Sequence, residues 1–419
     1  MKSAEKNYSN VELLAPAGSF ASLQAALHAG CDAVYFGTAH LNMRANSSQH
    51  FTLSDLATIA DLCHKQNVKA FLALNTLLYD HDLPLMRKTL TIASKSNIDA
   101  IIVSDMAAAC FARDLGLEVH LSTQLSVSNL ESCRVYSAFC DRVVLARELT
   151  LPMIKKLCSE IVKHDIRGPK GNLLGVELFI HGAMCVAVSG RCWMSLYTHN
   201  SSANRGACKQ NCRKPYTVID QETGKPLVID NEYVMSPEDL CTIDFLDKLV
   251  KTGAMSFKIE GRGRSPEYVS TVVSVYREAL DSLKNGQYAP KAIKAWKEKL
   301  ARVYNRGLAN GYYLGRQMDQ WSKQAGSKAP FEKFLVGTVG NYFSKLSVVE
   351  ILITDQPLQN DDAFLVIGST TGVCEGKVTA LVNHTHKNEK PRRGDTITIP
   401  ITEKVRHGDK VYVLRERKD

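Results

Sequence analysis

A chain of 419 residues is too long for one ordinary domain and points to two. Its 45% apolar and 23% charged content is that of a soluble globular protein, and its formal charge is +9. No run approaches the roughly 18 apolar residues that span a bilayer, and the polar start MKSAEKNYSN lacks the apolar core of a signal peptide, so a cytosolic protein without a membrane partner is expected.

Through the first 260 residues, short β-branched runs alternate with amphipathic helical patterns. Strands are predicted at 11–14, 33–36, 68–72, 100–103, 118–121, 142–145, 176–180 and 256–259. Helical segments such as 20–28, 53–66, 85–94 and 151–163 lie between them. Alternation of this kind builds a parallel sheet, and eight strands over about 250 residues match a closed (β/α)8 barrel. No Gly-rich dinucleotide turn follows any strand, which disfavours a doubly wound open sheet. The expected fold class is therefore α/β: a TIM-like barrel over 1–285 with a cysteine-rich insertion at 182–241. A helix at 266–283 follows the eighth strand, and 286–330 reads as a basic helical connector. From residue 331 to 419, runs such as LVGTVGNYF and KVYVLRE describe a small all-β domain, a barrel or sandwich.

The connector carries Lys291, Lys294, Lys297, Lys299, Arg302, Arg306, Arg316, Lys323 and Lys328 against Glu298 and Asp319, so nine minus two leaves +7. A stripe of that sign can hold a polyanion by counterion release. A solvated helix face is the competing reading.

Twelve cysteines are many for a reducing compartment, where disulfides are disfavoured. Cys31, Cys63, Cys110, Cys133, Cys140, Cys158 and Cys374 sit in ordinary helix or strand contexts and read as small core residues. The other five cluster. HGAMCVAVSGRCWMSLYTHNSSANRGACKQNCRKPY (181–216) holds Cys185 and Cys192 as C-x6-C and Cys208 and Cys212 as C-x3-C; Cys241 follows in SPEDLC. The first spacing is too open for a zinc knuckle, whereas an iron–sulfur cubane takes one thiolate per iron from scattered positions. From 182 to 215 there is no Asp or Glu, and Arg191, Arg205, Lys209, Arg213 and Lys214 supply cations that favour thiolates. Spacing alone leaves zinc and iron–sulfur both open.

These residues resemble the peptidase U32 family, the collagenase-like proteins. The matching pieces are ELLAPAGSFASLQAALHAGCDAVYFG (12–37), ELFIHGAMCVAVSGRC (177–192), GACKQNCRKPY, SPEDLC, FKIEGRGRSPEYV (257–269) and YNRGLANGYYLG (304–315). The β-domain after the barrel is similar to the tRNA-hydroxylating branch. That resemblance implies oxygen-independent hydroxylation giving 5-hydroxyuridine at the tRNA wobble position, with prephenate as the hydroxyl source. It also implies a [4Fe–4S] cluster on Cys185, Cys192, Cys208 and Cys241, with Cys212 the substitute fourth ligand in one branch. Hydroxylation of ribosomal RNA, a collagenase-like peptidase and a zinc-stapled RNA-binding protein are the alternatives. Against a peptidase, the chain has no HExxH helix and no G-x-S-x-G elbow. A Cys185–His181 pair would lack an orienting third group.

The remaining candidates follow from position. Prephenate carries two carboxylates, for which Arg offers bidentate forks. Arg44, Arg147, Arg262 and Arg264 follow the second, sixth and eighth strands. Asn75 and Gln124 end the third and fifth and offer hydrogen bonds. Lys258 and Glu260 share a strand face, either as a barrel-interior pair or with Glu260 catalytic. His181 ends the seventh strand and is the acid/base candidate. For the anticodon loop, Trp193, Tyr197 and Tyr216 are candidates to stack on bases, beside Arg191, Arg205, Lys209, Arg213 and Lys214. No obligate protein partner is inferred.

Overall fold

The structure is a computed structural model describing residues 11–45, 51–226, 232–315, 320–387 and 389–417. The barrel's first half runs β1 (Glu12–Pro16), α1 (Phe20–His28), β2 (Ala33–Phe36), α2 (Leu56–His64), β3 (Lys69–Leu74), α3 (Leu83–Lys95), β4 (Ala100–Val103) and α4 (Met106–Asp114). Next come β5 (Glu118–Leu121), α5 (Leu130–Tyr136), β6 (Arg142–Val144), α6 (Leu151–Lys163) and β7 (Gly175–Gly182). After the cysteine-rich excursion, which contains α7 (Met194–His199), come β8 (Asp239–Cys241), α8 (Leu246–Val250), β9 (Ser256–Ile259) and α9 (Pro266–Lys284).

Strands β1 to β7 pair in parallel in sequence order, and β9 closes the ring between β7 and β1, with Glu177 and Glu12 both opposite Ser256. These eight strands are the eight predicted. Their outward side chains, among them Leu13, Val34, Leu178, Phe257 and Ile259, pack in one core with the surrounding helices. Inside the barrel lies a small apolar layer of Leu14, Ala33, Tyr35, Phe71, Ala73, Ala100 and Ile102.

Below that layer the interior is ionic. Arg142 bonds Glu12 at 2.6 Å and Glu177 at 3.1 Å, and Lys258 bonds Glu177 at 2.9 Å. Buried charges persist only when paired in this way.

The region read as a connector belongs to the barrel. It contains α10 (Pro290–Ala301) and β10 (Leu308–Ala309), and β10 pairs in parallel with β8, which itself runs antiparallel to the end of β7. Its charges also find partners elsewhere in the chain. Lys297 meets Asp244 at 2.8 Å, Lys299 meets Glu278 at 3.0 Å, Lys328 meets Glu238 at 3.1 Å and Arg306 meets Asp239 at 3.2 Å. Four of the nine cations in the stripe are thus paired with acids that a local count omits; Arg316 and Asp319 of that count lie outside the described residues.

The C-terminal part is a seven-stranded antiparallel sheet: β11 (Phe331–Phe343), β12 (Val348–Ile353), β13 (Ala363–Gly368), β14 (Gly372–Lys377), β15 (Val382–Asn383), β16 (Thr396–Pro400) and β17 (Lys410–Glu416). Its own core includes Val336, Ile351, Val366, Ile397 and Val411. Two register shifts along β11 let it pair with β17 on one side and β12 on the other. The sheet docks on the barrel through Gly372, whose φ of +72° and missing side chain allow a close approach; a Cβ there would lie 3.1 Å from the Ala25 nitrogen of α1. Lys333 of β11 adds an ion pair to Glu267 of α9 at 2.7 Å.

Candidate active site

At the C-terminal mouth of the barrel, the loops enclose a cavity of about 470 Å³. That is the usual end for barrel chemistry and within the usual size for small-molecule sites. The excursion after β7 forms its roof. Gly182 turns the chain into that roof: its φ is +103°, and a Cβ would stand 2.5 Å from the Glu260 carbonyl.

The roof is tied down by its own polar groups. Arg205 bonds Asp82 at 2.7 Å and stacks 4.1 Å from the Tyr79 ring. Arg213 donates to the Met184 and Pro237 carbonyls and to Ser236 Oγ at 2.9 Å. Ser195 Oγ accepts from the Lys209 amide at 3.0 Å, and Asn204 Oδ1 accepts from the Cys192 amide at 3.4 Å. Arg205 and Arg213, expected to contact RNA, thus act as struts of this loop. Arg191, Lys209 and Lys214 are exposed, as are Trp193 (69%) and Tyr197 (93%). Tyr216 is half-buried and donates to the Asn211 carbonyl at 2.8 Å.

Cys185, Cys192, Cys208 and Cys212 all line the cavity. Desolvation pushes the Cys185 and Cys212 thiols up; Cys185 also feels the sulfurs of Cys192 and Cys208, and Cys212 those of Cys185, Cys208 and Cys192. Arg147 pulls Cys185 the other way, as Arg213 does Cys212. The Gln210 amide lies 3.4 Å from Cys208 Sγ as a donor, and the Ala187 amide serves Cys185.

Cys241, expected as the fourth ligand, is placed apart from the other four. It is buried in β8, outside the cavity lining, with the Tyr276 hydroxyl 3.9 Å from its sulfur. Pairing of Cys241 with His181 across β7 and β8 turns it into the layer beneath α9. Cys212 takes the fourth place around the cavity.

His181, the expected acid/base, also lies outside the cavity lining. Strand alternation from Glu177 and Phe179 would aim it inward, but the β7–β9 register shifts between Phe179 and His181. The ring lies instead between Tyr268 and Tyr276 of α9, with ring centroids 6.0 and 5.6 Å away, and does not line the cavity. Burial, aided by the Arg264 charge, lowers its pKa to about 3, so the imidazole is neutral.

The floor and walls are cationic. Arg44, Arg147, Arg213, Lys258, Arg262, Arg264 and Arg306 line the cavity, and among the described lining residues Glu260 is the sole carboxylate and there is no histidine. Lys258 and Glu260 do not pair with each other. Lys258 holds Glu177 and lies 4.3 Å from the Tyr35 ring, while Glu260 pairs with Arg44 and accepts from Tyr35 Oη at 3.2 Å. Burial raises the Glu260 pKa, but Arg44 and Arg262 outweigh it and hold it at about 2.

Asn75 donates to Ser122 Oγ at 3.1 Å and accepts from the Met43 amide at 3.2 Å. Arg147 donates one bond, to the Ala183 carbonyl at 2.9 Å, and lies 4.6 Å from the Phe179 ring. Its Nε and Nη2, Arg262 Nε and Gln124 Oε1 are buried without a partner among the described residues. Unpaired groups of this kind are costly unless a ligand completes them.

Tyr35, Glu177 and Arg306 are members of the site or its support that positional reasoning passed over. A lone acid in the apolar run VELFI was the available signal for Glu177. Arg306 was hidden in the charge count of the connector.

The donor set fits a thiolate-held cluster: four cysteines lining one cavity, amide donors to two of them, and nearby guanidinium charge to offset the anion. Among the described residues, no three His, Cys, Asp or Glu side chains are grouped to hold a single metal ion. Closed zinc sites need sulfurs about 3.8 Å apart, from Zn–S bonds of about 2.3 Å. No helix among the described residues is long and apolar enough to cross a membrane.

Comparison with known proteins places this architecture. A collagenase of Porphyromonas gingivalis is 48% identical over 99% of this chain and 100% of its own length. The tRNA hydroxylation protein P1 of Bacillus subtilis is 33% identical over 81% of this chain and 79% of its own. The 23S rRNA 5-hydroxycytidine C2501 synthase of Escherichia coli is 36% identical over 65% of this chain and 40% of its own. The profile of peptidase family U32 matches residues 18–323, and the chain belongs to that family.

Proposed function

We propose that this protein is an RNA hydroxylase that forms 5-hydroxyuridine at the tRNA wobble position without molecular oxygen, using prephenate as the hydroxyl source. The observation that carries the reading is the convergence of four cysteines and a cationic wall on one cavity. Cys185, Cys192, Cys208 and Cys212 would hold a [4Fe–4S] cluster, which supplies one-electron chemistry when bound. Arg147 and Arg262 have unpaired donors for the carboxylates of prephenate, and Gln124 has an unpaired acceptor for a hydroxyl. Glu260, ionised and locked to Arg44, positions that guanidinium rather than accepting a proton. The wobble base leaves its stack to enter the mouth, and exposed Trp193 and Tyr197 offer faces for its neighbours.

The collagenase relative favours a second reading, peptide hydrolysis. The cavity speaks against it, because among the described residues no histidine or aspartate lines it to activate a cysteine or serine nucleophile. The zinc staple is disfavoured because, among the described residues, no three His, Cys, Asp or Glu side chains are grouped to hold a single metal ion.

Mass spectrometry of nucleosides from a deletion strain tests the reading. Loss of 5-hydroxyuridine from tRNA, restored by the wild-type gene and not by Cys212→Ala, is expected. Loss of 5-hydroxycytidine from ribosomal RNA instead would move the substrate. Unchanged RNA with gelatin hydrolysis by the purified protein would replace the reading with the peptidase.

A further inference from the structure

The cations of the cavity form two groups. Arg44, Arg147, Arg262 and Lys258 surround Glu260, Tyr35 and Phe179 on the floor. A separate set stands on the wall, where three distant segments meet: Arg264 after β9, Arg306 before β10, and Arg213 in the roof.

The wall set is built around two shared residues. Arg264 stacks 3.7 Å from the Tyr304 ring centroid and Arg306 lies 5.3 Å from it. Both reach the same carboxylate: Arg306 Nη1 bonds Asp239 Oδ1 at 3.2 Å, and Arg264 Nη2 lies 3.8 Å from Asp239 Oδ2. Asp239 is 2% exposed, so its charge is spent beneath the wall. Two guanidinium charges against one carboxylate leave a surplus facing the cavity, and Arg213 adds to it. Like-charge repulsion from Arg306, second to burial, depresses the Arg213 pKa.

Among the described residues, Arg264 has no side-chain hydrogen bond to protein, only the long contact to Asp239 and its stacking on tyrosine. One face is covered by Tyr304, while its Asp239 contact, at 3.8 Å, is too long for a hydrogen bond. A stacked guanidinium keeps its in-plane N–H donors for an outside oxyanion. Its location adds a second argument. Arg264 sits in the loop after the eighth barrel strand, GRGRS, just before the 19-residue α9. Loops after the seventh and eighth strands are where barrels of this kind bind phosphate. Gly263 keeps that loop open, with nothing within 4 Å of where its Cβ would be. Nearby Arg262 is buried with its Nε unpartnered.

We propose that Arg264 and Arg306, stacked on Tyr304 and sharing Asp239, form a phosphate subsite on the cavity wall. It holds a phosphodiester of the RNA strand whose base enters the barrel. This rests on the RNA-hydroxylase reading and divides the cavity by chemistry: dicarboxylate on the floor, phosphate on the wall.

Arg264→Gln is the variant of choice, because Arg306 still pairs Asp239; an unchanged melting temperature guards against misfolding. With anaerobically purified holoenzyme and tRNA, the variant should bind about tenfold more weakly. The log–log slope of affinity against salt should fall by about 0.7, one single-strand phosphate contact. The KM for RNA should rise while that for prephenate stays unchanged. Arg264→Lys should restore part of the affinity. An Arg264→Gln protein with wild-type affinity and salt slope overturns the subsite. If the wild-type protein does not bind RNA, pyrophosphate replaces it as the probe. Pyrophosphate binding that is lost in Arg264→Gln keeps the subsite and fails only the RNA reading. Equal binding, or none, to both proteins overturns the subsite as well.

Discussion

Lys258 and Glu177 face each other at 2.9 Å inside the barrel, with the ammonium 4.3 Å from the Tyr35 ring. Glu177 is fully buried and also accepts from Arg142 at 3.1 Å and Ser256 Oγ at 3.3 Å. One carboxylate thus anchors the ionic interior and fixes a cation of the cavity floor.

Removing that charge should cost more than the pair contributes, because Lys258 and Arg142 would lose a buried partner. Glu177→Gln is expected to lower unfolding free energy by about 3–5 kcal/mol. Urea denaturation at neutral pH measures it; a loss below about 1 kcal/mol would refute the anchoring role.

Acid should expose the same network. Burial raises the Glu177 pKa, but Lys258 and Arg142 overcome that and hold it at about 2, against an ordinary 4.5. The unfolded chain therefore takes the proton first as pH falls. Stability from this group is complete above about pH 4.5 and disappears towards pH 2. Glu260 follows the same course for its arginines. Denaturation midpoints across this window should fall steeply, and less so in Glu177→Gln.

His181 gives a shift in a different window. Its folded pKa of about 3 lies below the ordinary 6.5, so the unfolded imidazole protonates first and stability drops as pH falls from about 6.5 towards 3. His181→Asn should flatten that part of the stability curve. Because the ring lies behind the wall, the pH profile of hydroxylation should keep its inflections. A lost inflection would return His181 to catalysis.

The two disputed cysteines separate cleanly. Cys212→Ala should lose iron and the visible absorbance of an iron–sulfur protein, since it lines the cavity with Cys185, Cys192 and Cys208. Cys241→Ala should keep both, at a small cost in stability from the vacated volume beneath α9. The reverse pattern of iron content would restore the first ligand set.

Arg147 tests the dicarboxylate floor. Arg147→Gln removes two donors that lack protein partners, so the KM for prephenate should rise by about tenfold with that for RNA unchanged. Equal affinity for prephenate in both proteins would place the carboxylates elsewhere.

The barrel was legible because parallel strands, covered on both sides, are written as short β-branched runs, and all eight fell where those runs lie. The placement of Arg44, Asn75, Gln124, Arg147, Lys258, Glu260, Arg262 and Arg264 around one cavity was equally legible. They sit at strand ends or just beyond, and a closed barrel brings all such ends to one mouth.

Local pattern by itself therefore determined the strand order, the mouth and the loop that carries four of the cavity's sulfurs. Only the tertiary structure decided that Cys212 joins them while Cys241 turns away, and that His181 faces α9. Both outcomes depend on a register shift in β7 and on its antiparallel pairing with β8. The partners of the connector's lysines and of Arg205 and Arg213 were decided there too. A side chain's direction after a bulge, and the acid that meets a given cation, follow from segments far apart in the chain, so neither leaves a mark in the residues beside it.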